Sequence, residues 1–92
     1  MLLQGPGEWK LKIAKGPSHD DYACVTAPGP AVLEIRQNGV LIDRVYLSAG
    51  GTHTWWASNP LLRGPSVGDE IHIIISGGPA ALRLELPLEP AE

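Results

Sequence analysis

Cysteine is nearly absent from this chain of 92 residues, because Cys24 is the only one. A single thiol excludes an intramolecular disulfide, and the lack of paired Cys-x-x-Cys motifs excludes the common cysteine zinc sites. Phenylalanine is missing altogether, so the large aromatic side chains are three tryptophans and two tyrosines. The chain is therefore not a disulfide scaffold, and each tryptophan calls for a structural explanation.

Basic residues and long apolar runs are also scarce. The net charge is −3, and lysine occurs only at Lys10, Lys12 and Lys15. Nucleic-acid-binding surfaces normally show as a basic patch, so we expect no nucleic-acid partner. Apolar runs such as residues 73–75 are far shorter than the ~20 residues that span a bilayer. With no visible signal peptide, we expect a protein made in a cytoplasm and without a membrane partner.

Glycine and proline are plentiful, with 11 and 9 copies, and they interrupt every segment of helical spacing. Short alternating segments instead predict strands. We expect an all-β fold: a single small β-sandwich of about seven antiparallel strands, with jelly-roll or immunoglobulin-like connections. The sandwich domain is predicted at residues 8–86, between an N-terminal arm at 1–7 and a C-terminal tail at 87–92.

Asn38-Gly39 predicts a β-hairpin over residues 31–47, because a type I′ turn needs positive φ at both central residues. A two-residue turn would place Ile35 opposite Ile42 and Glu34 opposite Asp43.

Gly77-Gly78-Pro79 predicts a second hairpin, which would pair Ile75 with Leu82 and set His72 opposite Glu85 on the outer face. The alternation of both hairpins and of the first strand predicts a core that includes one tryptophan of the 55–56 pair and Trp9, Leu11, Ile13, Leu33, Ile35, Ile42, Ile71, Ile73, Ile75, Leu82, Leu84 and Leu86.

No motif of a catalytic or nucleotide-binding site is present. A facing pair of Glu34 and Asp43 could serve a glycosidase or hold a divalent cation, but carboxylates on a solvated strand face are more often ordinary surface. The His19-Asp20-Asp21 loop could supply metal ligands and is more simply a solvated turn. We therefore predict no enzymatic activity, no cofactor and no metal site.

Trp55 and Trp56 are adjacent in the segment T-H-T-W-W-A-S-N-P, and successive side chains of a strand point to opposite faces. Only one of them can enter the core. The other could anchor a protein interface, form a platform for a sugar ring, or pack under the loop at 57–69. The candidate residues for binding at an interface or a ligand platform are Trp55, Trp56, His53, Asn59, Leu61 and Leu62.

The segments N-G-V-L-I-D-R-V-Y-L-S-A-G-G and L-R-G-P-S-V-G-D-E-I-H-I-I-I-S-G-G-P-A-A-L-R-L-E-L, within residues 38–86, resemble the small β-sandwich domains of tailed-bacteriophage structural proteins. These are capsid decoration (cement) proteins and accessory domains of tail fibres. The resemblance implies a virion protein that forms a homo-oligomer such as a trimer and stabilises the capsid shell through protein–protein contacts. The alternative is a carbohydrate-binding module that uses the exposed tryptophan.

Overall fold

The structure is a computed structural model that describes residues 1–16, 18, 20–56 and 59–91. The predicted all-β class is confirmed, because the described residues form one antiparallel sheet of seven strands, compatible with a small β-sandwich. No helix in this part of the chain is long and apolar enough to cross a membrane. The strands are β1 Leu2–Ile13, β2 Tyr22–Ala27, β3 Ala31–Gln37, β4 Val40–Leu47, β5 Gly51–Trp55, β6 Glu70–Glu85 and β7 Leu88–Pro90.

The strand β6 is 16 residues long and continues through Gly77-Gly78-Pro79, so the hairpin predicted there is wrong. Ile75 pairs with Gly7 of β1 and Leu33 of β3, rather than with Leu82. The reason is that β1 is long enough to pair with both halves of β6, at residues 70–75 and 80–83, with a register shift between Gly5 and Gly7. A strand with a partner on both halves has no need to turn back on itself.

His72 and Glu85, predicted to face each other, consequently lie in different halves of β6. His72 pairs with Lys10 and Arg36, and its Nε2 contacts the carboxylate of Glu8. Glu85 pairs with Tyr22 of β2.

The two halves of β6 organise the sheet. The N-terminal half lies in the strand order β4-β3-β6-β1-β7, which we call half-sheet A, and the C-terminal half lies in the order β5-β2-β6-β1, which we call half-sheet B. Strands that pass from one half to the other through a bend or bulge are a known way to enclose a core. Buried side chains of both half-sheets belong to a single hydrophobic cluster.

The predicted core is largely confirmed. Nine of the aliphatic residues are buried, whereas Trp9, Ile42 and Leu86 are only partly buried against them. Of the tryptophan pair, Trp55 is the buried one. Further buried apolar residues that the alternation did not identify are Leu3, Ala23, Val25, Ala27, Ala31, Leu47, Leu61, Leu62 and Ala80.

The hairpin of β3 and β4 is confirmed at its turn, where φ is 52° at Asn38 and 82° at Gly39. The predicted register holds for Gln37 and Arg36 next to the turn. From Ile35 onwards it is wrong by one residue, because β4 contains an extra residue opposite the step from Arg36 to Ile35. Ile35 pairs with Asp43 and not with Ile42. A β-bulge accommodates one extra residue on one strand, which shifts every later pair by one.

The terminal segments are part of the sheet and not separate arms. Residues 2–7, predicted as an N-terminal arm, form the first half of β1 and pair with β6 of the same chain. In the predicted tail, Leu88–Pro90 form β7 and pair with residues 11–13 of β1. Strand pairing within the chain therefore uses the backbone that free arms would offer to a neighbour.

A substitution at Gly78 tests the continuity of β6. A Cβ on Gly78 would overlap the carbonyl oxygen of Pro30, a backbone atom that cannot move independently. We expect Gly78→Ala to lower the free energy of unfolding by about 1–3 kcal/mol, measured by urea denaturation. The matched control is Gly29→Ala, since a Cβ on Gly29 meets nothing within 4 Å. Equal stabilities of the two variants would contradict this packing.

Candidate functional site

The two adjacent tryptophans lie in opposite environments. Trp55 is 2% exposed and Trp56 is 58% exposed. Trp55 ends β5 opposite Ala23 of β2, and both residues point into the core. The residue that needs a partner outside the core is therefore Trp56.

Trp55 links two strands that do not pair. Its indole Nε1–H donates to Oδ2 of Asp43 on β4 at 2.8 Å. The bulge in β4 explains how Asp43 reaches it, because Ile42 and Asp43 are both half-buried in place of strict alternation. The ring of His53 packs edge-on against Trp55, with centroids 4.5 Å apart. Trp55 thus closes the gap between the open edges of β4 and β5.

The segment that follows β5 inserts two leucines into the core. Leu61 and Leu62 are both buried. Beside them is a cleft of about 350 Å³, lined by Ile42, Asp43, Trp55, Asn59, Pro60, Leu61, Leu62, Arg63 and Gly64. Four of the six candidate residues, namely Trp55, Asn59, Leu61 and Leu62, therefore share one cleft.

Gln37 fixes this segment to β3 and was not identified from the sequence. Among the residues that the structure describes, Gln37 is the one polar residue that is buried. Its Oε1 accepts from the backbone N–H of Arg63 at 2.9 Å, and its Nε2 donates to the Arg63 carbonyl at 3.0 Å. The signal was present in the alternation, because Gln37 occupies the inward position after Leu33 and Ile35.

Asp69 completes this hydrogen-bond network. Its Oδ2 accepts from the backbone N–H of Ser66 at 2.9 Å and from Nε2 of Gln37 at 3.1 Å. These bonds, led by the one from Ser66 and joined by the side chain of Asn38, hold the pKa of Asp69 below its ordinary value of 3.8. A hydrogen-bonded carboxylate is favoured in its charged form.

Trp56 belongs to the outer face of half-sheet B, which we call the Trp56 face. Its ring lies against Tyr22, with centroids 5.7 Å apart and planes inclined by 31°. Near them is a shallow hollow of about 360 Å³, lined by Leu2, Tyr22, Cys24, Thr26, Ala81 and Arg83. The remaining outward side chains of this face are Gln4, Thr52, Thr54 and Glu85.

The predicted carboxylate pair of Glu34 and Asp43 does not form. The bulge places Arg44 opposite Glu34, whose Oε1 accepts from Arg44 and whose Oε2 accepts from Arg36 at 3.3 Å. The hydrogen bond from Arg44, followed by the charge of Arg36, lowers the pKa of Glu34 below its ordinary value. A general acid needs a raised pKa, so this arrangement does not suit that role.

The metal reading of His19-Asp20-Asp21 depends on His19, which lies outside the described residues. Among the residues that are described, no group of three or more His, Cys, Asp or Glu side chains could hold a metal ion. Asp21 accepts from the backbone N–H of Ser18 at 2.7 Å.

The candidate residues thus separate into two places. Trp55, Leu61 and Leu62 are buried, Asn59 lines the same cleft, and His53 packs on Trp55. Trp56 alone lies on an exposed sheet face. Comparison of the chain with protein-family models, curated proteins and solved structures found no match.

Removing the indole N–H tests the link between β4 and β5. We expect Trp55→Phe to lower the free energy of unfolding by about 1.5–3 kcal/mol, because Asp43 loses its donor while it remains half-buried. Trp9→Phe is the control, since the indole N–H of Trp9 has no acceptor among the described residues and should matter less. A loss of stability no greater for Trp55→Phe than for Trp9→Phe would show that the bond is unimportant.

The lowered pKa of Asp69 predicts a specific pH dependence. A carboxylate whose pKa is lowered by folding stabilises the protein above its unfolded pKa, and this stabilisation is lost as the pH falls through the folded pKa. We expect Asp69→Asn to be less stable than the parent at pH 7 and to approach the parent's stability as the pH falls through the lowered pKa of Asp69. Asp20→Asn is the exposed control. The measurement is the thermal unfolding midpoint of the parent and of both variants across this pH range. A difference between the parent and Asp69→Asn that is the same at every pH would refute the prediction.

Proposed function

We propose that this chain is a non-enzymatic structural protein of a virus particle, of the capsid decoration (cement) kind, and that it acts through protein–protein contacts. The observation that carries the proposal is the exposure of Trp56 on a sheet face, beside Tyr22. Tryptophan and tyrosine are enriched where protein interfaces bury side chains, and they supply much of the binding energy there.

The two outer faces of the sheet support different roles. On half-sheet A, Glu34 pairs with Arg36 and with Arg44. On the Trp56 face, Arg83 and Glu85 form no ion pair with any other described residue. A face that combines exposed aromatic groups with charges that have no partner within the chain is suited to contact with another protein.

We assign adhesion to the Trp56 face. Residues 2–7 and β7 pair within the sheet, so Leu2 and Gln4 contribute to this face as part of β1 and not as a free arm. In a particle, many copies would clamp neighbouring subunits, and every ~1.4 kcal/mol gained at one contact would raise its affinity tenfold. Repeated contacts would multiply this effect.

A carbohydrate-binding module remains the second candidate. It is favoured by the exposed ring of Trp56, which could stack on a sugar, and by the hydroxyl group of Thr52 on the same face, which could hydrogen-bond to it. A sugar site should operate in a single protomer and should respond to soluble glycans.

The particle itself provides the direct test. We expect mass spectrometry of virions purified from a phage whose genome encodes this chain to find it in many copies. Added to particles stripped of it, the Trp56→Ala protein should bind with at least about tenfold lower affinity than the parent. Tyr46→Ala is the control, because Tyr46 is 72% exposed on half-sheet A. Absence of the chain from the virion, together with glycan-dependent quenching that requires Trp56, would favour the sugar module instead.

A further inference from the structure

We propose that the Trp56 face is self-complementary and docks a second copy of the same chain about a two-fold axis. This inference rests on the proposed function, in that it takes the Trp56 face to bind protein, and it names the partner. Isologous pairing requires that one patch matches itself when it is rotated, so large groups must meet small ones and each charge must meet its opposite.

Two neighbouring rows of side chains cross the Trp56 face. The first row holds Trp56, Tyr22 and Glu85, because Tyr22 pairs with Glu85 and contacts Trp56. The second row holds Thr54, Cys24 and Arg83, because Cys24 pairs with both of the others. The first row is thus aromatic, aromatic and acidic, and the second is small, small and basic.

The two rows are exchanged by a two-fold axis that lies in the plane of the interface, runs perpendicular to the strands and crosses β6 at the level of Leu84. Glu85 then faces Arg83 of the second copy, and Arg83 faces Glu85 of the second copy. Tyr22 comes over Cys24, and Trp56 over Thr54. Both unpaired charges find opposite partners, and both large rings lie over small side chains.

The hollow supplies the necessary space. It adjoins Tyr22, and Cys24, Thr26 and Ala81 give it small side chains. Thr54 Oγ1 donates to Sγ of Cys24 at 3.4 Å, so these two side chains already satisfy each other and can be covered. An interface packed as densely as a protein interior requires this kind of shape complementarity.

The size of the face predicts a weak dimer. Four strands about 4.8 Å apart and five residues of about 3.3 Å each give a footprint of roughly 300 Å². This is well below the ~800 Å² that each partner buries in a standard interface. We therefore expect a dimer whose dissociation constant is micromolar or weaker, and whose population rises where a particle concentrates the protein.

A charge exchange tests the arrangement. Sedimentation velocity from about 1 μM to about 1 mM should show a monomer–dimer equilibrium for the parent chain. Arg83→Glu and Glu85→Arg should each raise the dissociation constant at least about tenfold, because each places like charges opposite one another twice. The double variant Arg83→Glu with Glu85→Arg should restore it to within about threefold, since the exchange recreates both pairs.

Two further variants separate contact from folding. Trp56→Ala should weaken the dimer and Tyr46→Ala should not, with circular dichroism confirming that both are folded. A monomer at all concentrations, a trimer, or a folded double variant that does not recover would overturn the two-fold docking. Presence of a monomeric chain in many copies on virions would overturn self-docking alone. A dimer that behaves as described, with no chain in virions, would instead overturn the virion role alone.

Discussion

The pairing of β1 with β6 is the constraint on which the rest of the molecule depends. Both strands pass through both half-sheets, so every other strand is attached directly or through one neighbour to this pair. The bend is possible because Gly5 of β1 and Gly78 of β6 lie in this region, and a Cβ there would collide with Ile75 and with the carbonyl oxygen of Pro30, respectively. With the ribbon bent, the inward side chains of both half-sheets share one core.

The open side of this arrangement is closed by side chains and not by strand pairing. Trp55 connects β5 to Asp43 of β4. Gln37 binds the backbone of Arg63, which keeps the two preceding leucines, Leu61 and Leu62, in the core. The residues that looked like a binding site thus serve mainly to hold the structure together. Their burial leaves Trp56 as the one of the six candidate residues whose aromatic ring is exposed for contact with a partner.

Local patterns predicted the local structure well. Alternation identified about half of the buried core residues, and Asn38-Gly39 identified the turn, because both depend on neighbouring residues only. The errors concern long-range pairing. Nothing near Gly77-Gly78 in the sequence shows that β1 will accompany β6 beyond it, and an extra residue in β4 cannot be seen until its partner strand is known. Alternation showed that Trp55 and Trp56 must separate, but which one is buried depends on the register of β5 with β2.

The central claim of this account is that the Trp56 face becomes buried when the protein assembles. The most direct measurement follows the indole N–H signals of the three tryptophans by ¹⁵N–¹H correlation NMR over a dilution series. The account predicts that the Trp56 signal shifts with concentration, whereas the Trp55 signal, held by Asp43, stays constant. A Trp56 signal that is the same at every concentration, or a shift confined to Trp55 or Trp9, would contradict it.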